Sequence, residues 1–120
     1  MISSYKDLVV WQKSIELVSE IYKTTQLFPK EEMFSLTSQI RRAAISIPSN
    51  IAEGRGRSTR KDFVHFLYIA KGSLSELETQ LFISKDLQLL PKENFDVLYQ
   101  KTSEIGKLLH GIINKLKAEN

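Results

Sequence analysis

QIRRAAISIPSNIAEGRGRS, residues 39–58, carries the pattern that decides the fold together with four of the chain's five arginines. Ile40, Ala43, Ala44, Ile47 and Ile51 recur every three or four positions, which places them on one face of an α-helix. Pro48 interrupts that face. Inside a helix it removes a backbone donor and crowds the carbonyl of Ala44, at about 3 kcal/mol. Ser46, Ser49 and Asn50 are short polar side chains able to bond a freed backbone group nearby. Two readings follow. In the favoured one the helix continues, kinked at Pro48, because the step from Ile47 to Ile51 keeps the same face and the ending signal, Gly54, comes later. In the other, one helix ends at Ile47 and a second starts at Pro48, a favoured first-turn position.

The same spacing extends outward in both directions. Leu8, Trp11, Ile15, Val18 and Tyr22 form an earlier stripe, closed by the break at Pro29, where Glu31 and Glu32 favour the start of the next helix. After the glycine-containing turn GRGRST, Ser58 or Thr59 can cap a third helix whose stripe is Phe63, Phe66, Ala70, Leu74, Leu77 and Leu81. A fourth, opening near Pro91, carries Phe95, Leu98, Thr102, Ile105, Leu109, Ile112 and Leu116. The pattern predicts helices over about residues 5–26, 34–53, 59–89 and 92–117 of a single 120-residue domain. No period-two alternation competes with these stripes, and short connections make antiparallel neighbours the simple solution. The expected fold is all-α, an up-down-up-down antiparallel four-helix bundle.

Composition narrows the function classes. With 42% hydrophobic and 26% charged residues, the chain lacks the signature of disorder. It has no cysteine, which removes disulfides, thiolate metal sites and cysteine nucleophiles. His65 and His110 have no partner at metal-ligand spacing, and Glu76 and Glu78, two apart, point to different helix faces rather than forming a carboxylate dyad. No phosphate-loop signature is present. The expectation is a cytoplasmic, non-enzymatic protein with no cofactor, no metal and no membrane span.

Charge is concentrated. The net charge is only +3, yet all five arginines lie between positions 41 and 60. Arg41, Arg42, Arg55, Arg57, Arg60 and Lys61 face the single Glu53 within that window, an excess of five that leaves the rest of the chain slightly acidic. Guanidinium groups match phosphate oxygens in a planar fork, so this window is the candidate nucleic-acid-binding site. The competing reading pairs Arg41 and Arg42 with Glu76, Glu78 or Glu53 across a helix interface and leaves the loop arginines solvated. Gly72 and Ser73 fall mid-helix, where close packing against Ala43 or Ala44 is the expected reason for a glycine. Gly54 is expected just past the second helix, in a left-handed backbone. Val9, Val10, Val64, Phe82 and Ile83 lie outside the stripes and are candidates for contacts between subunits.

Three stretches, VWQKSIELV, FPKEEMFSLTSQIRRAAISIPSNIAEGRGR and FLYIAKGSLSELETQL, resemble the bacterial four-helix-bundle family typified by the 23S rRNA intervening-sequence protein. The family's arginine pair matches Arg41 and Arg42, its Pro-Ser-Asn-Ile-Ala-Glu-Gly signature matches Pro48 to Gly54, with Asn50 inside it, and its Gly-Ser-Leu-x-Glu-Leu-Glu signature matches Gly72 to Glu78. The resemblance implies a four-helix bundle assembled as a homopentameric, basic ring. It also implies possible partners, since relatives include the accessory variability protein of diversity-generating retroelements, which binds a reverse transcriptase and nucleic acid. The expected function is therefore a homo-oligomeric, pentameric bundle that binds RNA, DNA or a nucleoprotein through the arginine window. The alternative is a protein-interaction scaffold whose arginines are structural or meet an acidic partner.

Overall fold

A computed structural model describes residues 4–119. After a 3-10 turn at Tyr5–Asp7, four α-helices follow: α1 (Val9–Thr25), α2 (Leu36–Arg55), α3 (Arg60–Asp86) and α4 (Lys92–Ala118), with a second 3-10 turn at Lys30–Glu32 in the α1–α2 connection. Each packs on its chain neighbours, and α1 also packs on α4, which closes a four-helix ring around one shared core. The result is the antiparallel bundle that the apolar spacing predicts. Phe28 and Leu90, from the α1–α2 and α3–α4 connections, complete the core beyond the helices themselves.

The seam of α2 runs through Ile40, Ala43, Ala44, Ile47 and Ile51, as its sequence spacing requires. The seams of α1 and α3 are displaced from the purely apolar stripes. In α1 the buried positions are Val10, Ser14, Leu17, Ile21 and Thr25, while Ile15 faces solvent and Leu8, Trp11 and Val18 pack at the edge. Ser14 Oγ donates to the Val10 carbonyl at 2.7 Å and Thr25 Oγ1 to the Ile21 carbonyl at 2.7 Å. These hydroxyls enter the core already satisfied, which removes the penalty that otherwise excludes them. In α3, Leu67, Gln80 and Ser84 join the seam, with Ser84 Oγ donating to the Gln80 carbonyl. In α4 the buried residue near the end is Ile113, with Ile112 and Leu116 at the margin. Val10 is thus a core residue and is not available for contacts between subunits, while Val64 packs against the core and stays partly exposed.

Helix α2 is one unbroken helix with a buried Pro48 inside it, so the alternative of a chain ending at Ile47 and restarting does not hold. Ser49 Oγ donates to the Ile45 carbonyl at 2.8 Å, and Asn50 Nδ2 donates to the Ser46 carbonyl at 2.8 Å and to Ser46 Oγ at 2.9 Å. The supporting bonds therefore fall on the carbonyls just after that of Ala44, not on Ala44 itself. Ser46 Oγ in turn lies 2.8 Å from Ser73 Oγ, tying α2 to α3 at this level.

Two glycines exchange their expected roles. Gly54 lies within α2, has no left-handed backbone and is buried. A Cβ there would stand 2.6 Å from Phe66 Cβ and 3.1 Å from Phe63 Cδ1. At Gly54 α3 comes close against α2, and the absent side chain is what admits Phe66. Gly72 is exposed, and a Cβ on it would meet nothing within 4 Å. Close packing within the bundle does not explain it, since the contact with α2 is made by Ser73 one position on.

Helix ends follow local chemistry. Thr59 caps α3, its Oγ1 accepting from the Asp62 amide at 3.1 Å. At the other end α3 stops at Asp86 rather than near residue 89, because Gln88 takes φ 64 and the Leu89 amide turns back to the Ser84 carbonyl at 2.9 Å. That six-to-one bond with a left-handed residue before it is the Schellman arrangement, here formed without glycine.

Candidate nucleic-acid interface

The bundle topology splits the arginine window in two. Arg42 and Arg55 are thirteen positions apart on α2, roughly 20 Å along its axis. Arg41 belongs to the bundle: its Nε donates to Thr25 Oγ1 at 2.9 Å, and its guanidinium lies 4.3 Å from the centre of the Tyr22 ring. It joins α2 to the last turn of α1 through a hydrogen bond and a cation–π contact. Arg42 is exposed beside it. Neither uses Glu76 or Glu78 as the competing reading expects; Glu78 instead accepts from Thr102 Oγ1 at 3.3 Å.

The remaining cations gather at one end of the bundle, where α2 finishes, α3 starts and α4 finishes. Arg55, Arg57, Ser58, Thr59 and Arg60 line an open groove of about 700 Å³, whose other wall is formed by Leu8, Phe63, Ile112, Lys115, Leu116 and Glu119. The lining thus carries four cations and one carboxylate. A second hollow of about 380 Å³ shares Arg60 and Leu116 and adds Lys61, Val64 and Lys117. Lys115 and Lys117 are functional candidates that a linear charge window does not reach. Only the antiparallel return of α4 brings the KLK of residues 115–117 beside residues some 55 positions earlier. A topology drawn from the four stripes, with charge counted by bundle end instead of by window, contains that signal.

Several of these groups are held in place. Arg57 Nη2 lies 2.8 Å from Glu53 Oε2, and its guanidinium sits 4.9 Å from the centre of the Phe66 ring. The Arg60 guanidinium donates to the Glu119 carbonyl and approaches Glu119 Oε1 at 3.9 Å. All four side chains in these two pairs are about half exposed, so each pair contributes little to stability. Their effect is to fix where the guanidinium forks stand.

Helix dipoles act unevenly on this cluster. Arg55, Lys115 and Lys117 lie in the last turns of α2 and α4, where a cation is favourable. Arg60 and Lys61 open α3, where the exposed amides make a cation unfavourable. That end of α3 therefore adds to the positive potential around the two hollows. Among the described residues no helix is long and apolar enough to cross a membrane, and no three His, Cys, Asp or Glu residues converge as a metal site would need.

No curated protein matches the chain. Among solved structures it is similar to the crystal structure, at 1.70 Å resolution, of a protein of unknown function from the S23 ribosomal protein family of Bacteroides thetaiotaomicron VPI-5482. The two are 31% identical and superpose with a TM-score of 0.82, covering 88% of this chain and 96% of the other. The model of the 23S rRNA-intervening sequence protein family matches residues 6–111. Bundle topology, structural likeness and family match agree, and the chain belongs to the 23S rRNA-intervening sequence protein family.

Proposed function

We propose that this protein is a non-enzymatic helical bundle that assembles with copies of itself as a pentameric ring in the cytoplasm. In this reading the basic end of each subunit binds RNA, DNA or a nucleoprotein, such as a reverse transcriptase with its nucleic acid. The observation that carries it is the groove whose lining includes Arg55, Arg57, Arg60 and Lys115, from three separate parts of the chain, and one carboxylate, Glu119. In a ring the same end is repeated around the axis, and the summed potential attracts a polyanion more strongly than one copy does. Each phosphate neutralised steepens the salt dependence by about 0.7–0.9 in log–log slope.

Exposed Val9, Phe82 and Ile83 remain as apolar surface for subunit contacts. The non-enzymatic reading draws support from the histidines: His65 lies edge-on to the Phe66 ring, and His110 Nε2 is 3.0 Å from Asn114 Nδ2. Both have ordinary structural partners.

A second reading, a protein-interaction scaffold with structural arginines, is favoured by one set of contacts. Arg41 joins α1, Arg57 meets Glu53, and Arg60 meets Glu119.

Binding of the purified protein to mixed RNA and DNA, measured across a salt series, separates the two. The nucleic-acid reading expects tight binding at low ionic strength, lost as salt rises, and abolished by the triple variant Arg55→Glu, Arg57→Glu, Arg60→Glu with assembly intact. Absence of salt-sensitive binding by the unaltered protein overturns it, and loss of assembly in the variant favours the scaffold. Light scattering that reports a monomer at micromolar protein overturns the ring.

A further inference from the structure

We propose that the nucleic acid is held as an unpaired strand, with Tyr68 as the base-stacking platform beside Lys61 and Lys117. This rests on the polyanion-binding reading above and specifies its ligand. Tyr68 is an aromatic side chain outside the core, 44% exposed on α3. It stands two turns beyond Lys61 on the same face, with Val64 between them. That separation is about 10 Å along the helix, the rise of about three stacked nucleotides.

Lys117 comes from the end of α4 to meet it. Its Nζ donates to the Tyr68 hydroxyl at 3.3 Å and lies 5.8 Å from the ring centre. The same ammonium lines the hollow with Arg60 and Lys61. The ring is therefore oriented by a hydrogen bond at its hydroxyl end and flanked by the Lys117 ammonium, with Lys61 and Arg60 on the helix turns before it, while nearly half its surface stays open to solvent.

These groups suit different parts of one ligand. Ammonium and guanidinium groups take phosphates of any nucleic acid, but a planar ring next to them gains only from a base face it can reach. In a duplex those faces are stacked on each other. An unpaired strand offers both a phosphate for Lys61, Arg60 or Lys117 and a base for Tyr68. An acidic polypeptide would satisfy the cations and leave the ring without a stacking partner.

Fluorescence anisotropy with the full-length protein at low salt tests this with a labelled oligoadenylate, an abasic strand of equal phosphate number and a blunt RNA duplex. The oligoadenylate is expected to bind about tenfold more tightly than the abasic strand. Tyr68→Ala should erase that difference and leave the salt slope unchanged, while Tyr68→Trp should preserve it. Because Tyr68 lies outside the core, circular dichroism of both variants should match the unaltered protein. Lys117→Ala should flatten the salt slope.

Equal binding of oligoadenylate and abasic strand, or tighter binding of the duplex, with salt sensitivity retained, overturns the Tyr68 assignment and leaves the basic groove standing. Absence of salt-sensitive binding to all three overturns the underlying reading as well. A polyglutamate of matched charge that displaces the oligoadenylate equally well overturns it in favour of an acidic protein partner.

Discussion

The Gly54 turn of α2 and the Gly72 turn of α3 belong to the same antiparallel helix pair, yet they are opposite environments. At Gly54 the two backbones close until a single Cβ would collide with Phe66. At Gly72 the pair faces outward and the contact is carried by the neighbouring Ser73. Adjacent residues on α2 repeat the contrast, since Arg41 is clasped by α1 and Arg42 is exposed. For the two arginines a step of about 100° around one helix separates a structural residue from a surface one, and in both comparisons identical residue types carry unlike roles.

The strongest way to break the comparison is Gly54→Ala. Overpacking costs about 1–3 kcal/mol and the gain in helix propensity returns about 1 kcal/mol at most. With backbone and Cβ atoms as the obstruction, the expected net loss is at the upper part of that difference, about 1–2 kcal/mol in denaturant unfolding. Unchanged or increased stability would mean that α2 and α3 separate freely at this end.

Next comes the arginine pair. Arg41→Ala should cost about 1–2 kcal/mol, through the lost bond to Thr25 and the lost contact with Tyr22. Arg42→Ala should stay within about 0.5 kcal/mol, as surface substitutions do. Equal effects on unfolding would remove the distinction between the two.

Gly72→Ala should act in the opposite direction to Gly54→Ala, raising stability by about 1 kcal/mol, because an exposed helix interior gains propensity without a clash. The same variant sharpens the comparison in solution. If light scattering shows that it disrupts self-association, the glycine is required by a neighbouring copy. If assembly persists, Gly72 is open in the assembled protein too.

The smallest effect is expected at Gln88, where a left-handed backbone is held by a residue with a side chain. Gln88→Gly should raise the unfolding midpoint modestly, by about 0.5 kcal/mol equivalent, since relief of the left-handed conformation is partly offset by the greater freedom of glycine in the unfolded chain.

Much of the fold was legible because apolar spacing reports helices directly. The seam of α2 could be read almost residue by residue, and the hydroxyls of Ser58 and Thr59 marked the cap of α3, which in the structure is Thr59. The seam of α1 was harder, because it passes through Ser14 and Thr25. Counting apolar letters favours Ile15, and only the hydroxyl-to-carbonyl bonds explain why polar residues take the interior. The candidate site was legible in part. Arg55, Arg57, Arg60 and Lys61 stay together because a short turn holds them, whereas Arg41 and Arg42 are carried away by the rise of α2.

By itself the sequence determined the number of helices and the crowding of guanidinium groups near the α2–α3 turn, and it favoured an α2 that continues past its proline, since these depend on contacts only a few residues apart. Tertiary structure alone decided which glycine is squeezed between helices, that Arg41 serves the bundle, and that Lys115, Lys117 and Tyr68 join the basic end. Those outcomes depend on residues dozens of positions apart being brought side by side, and a linear pattern carries no measure of that distance.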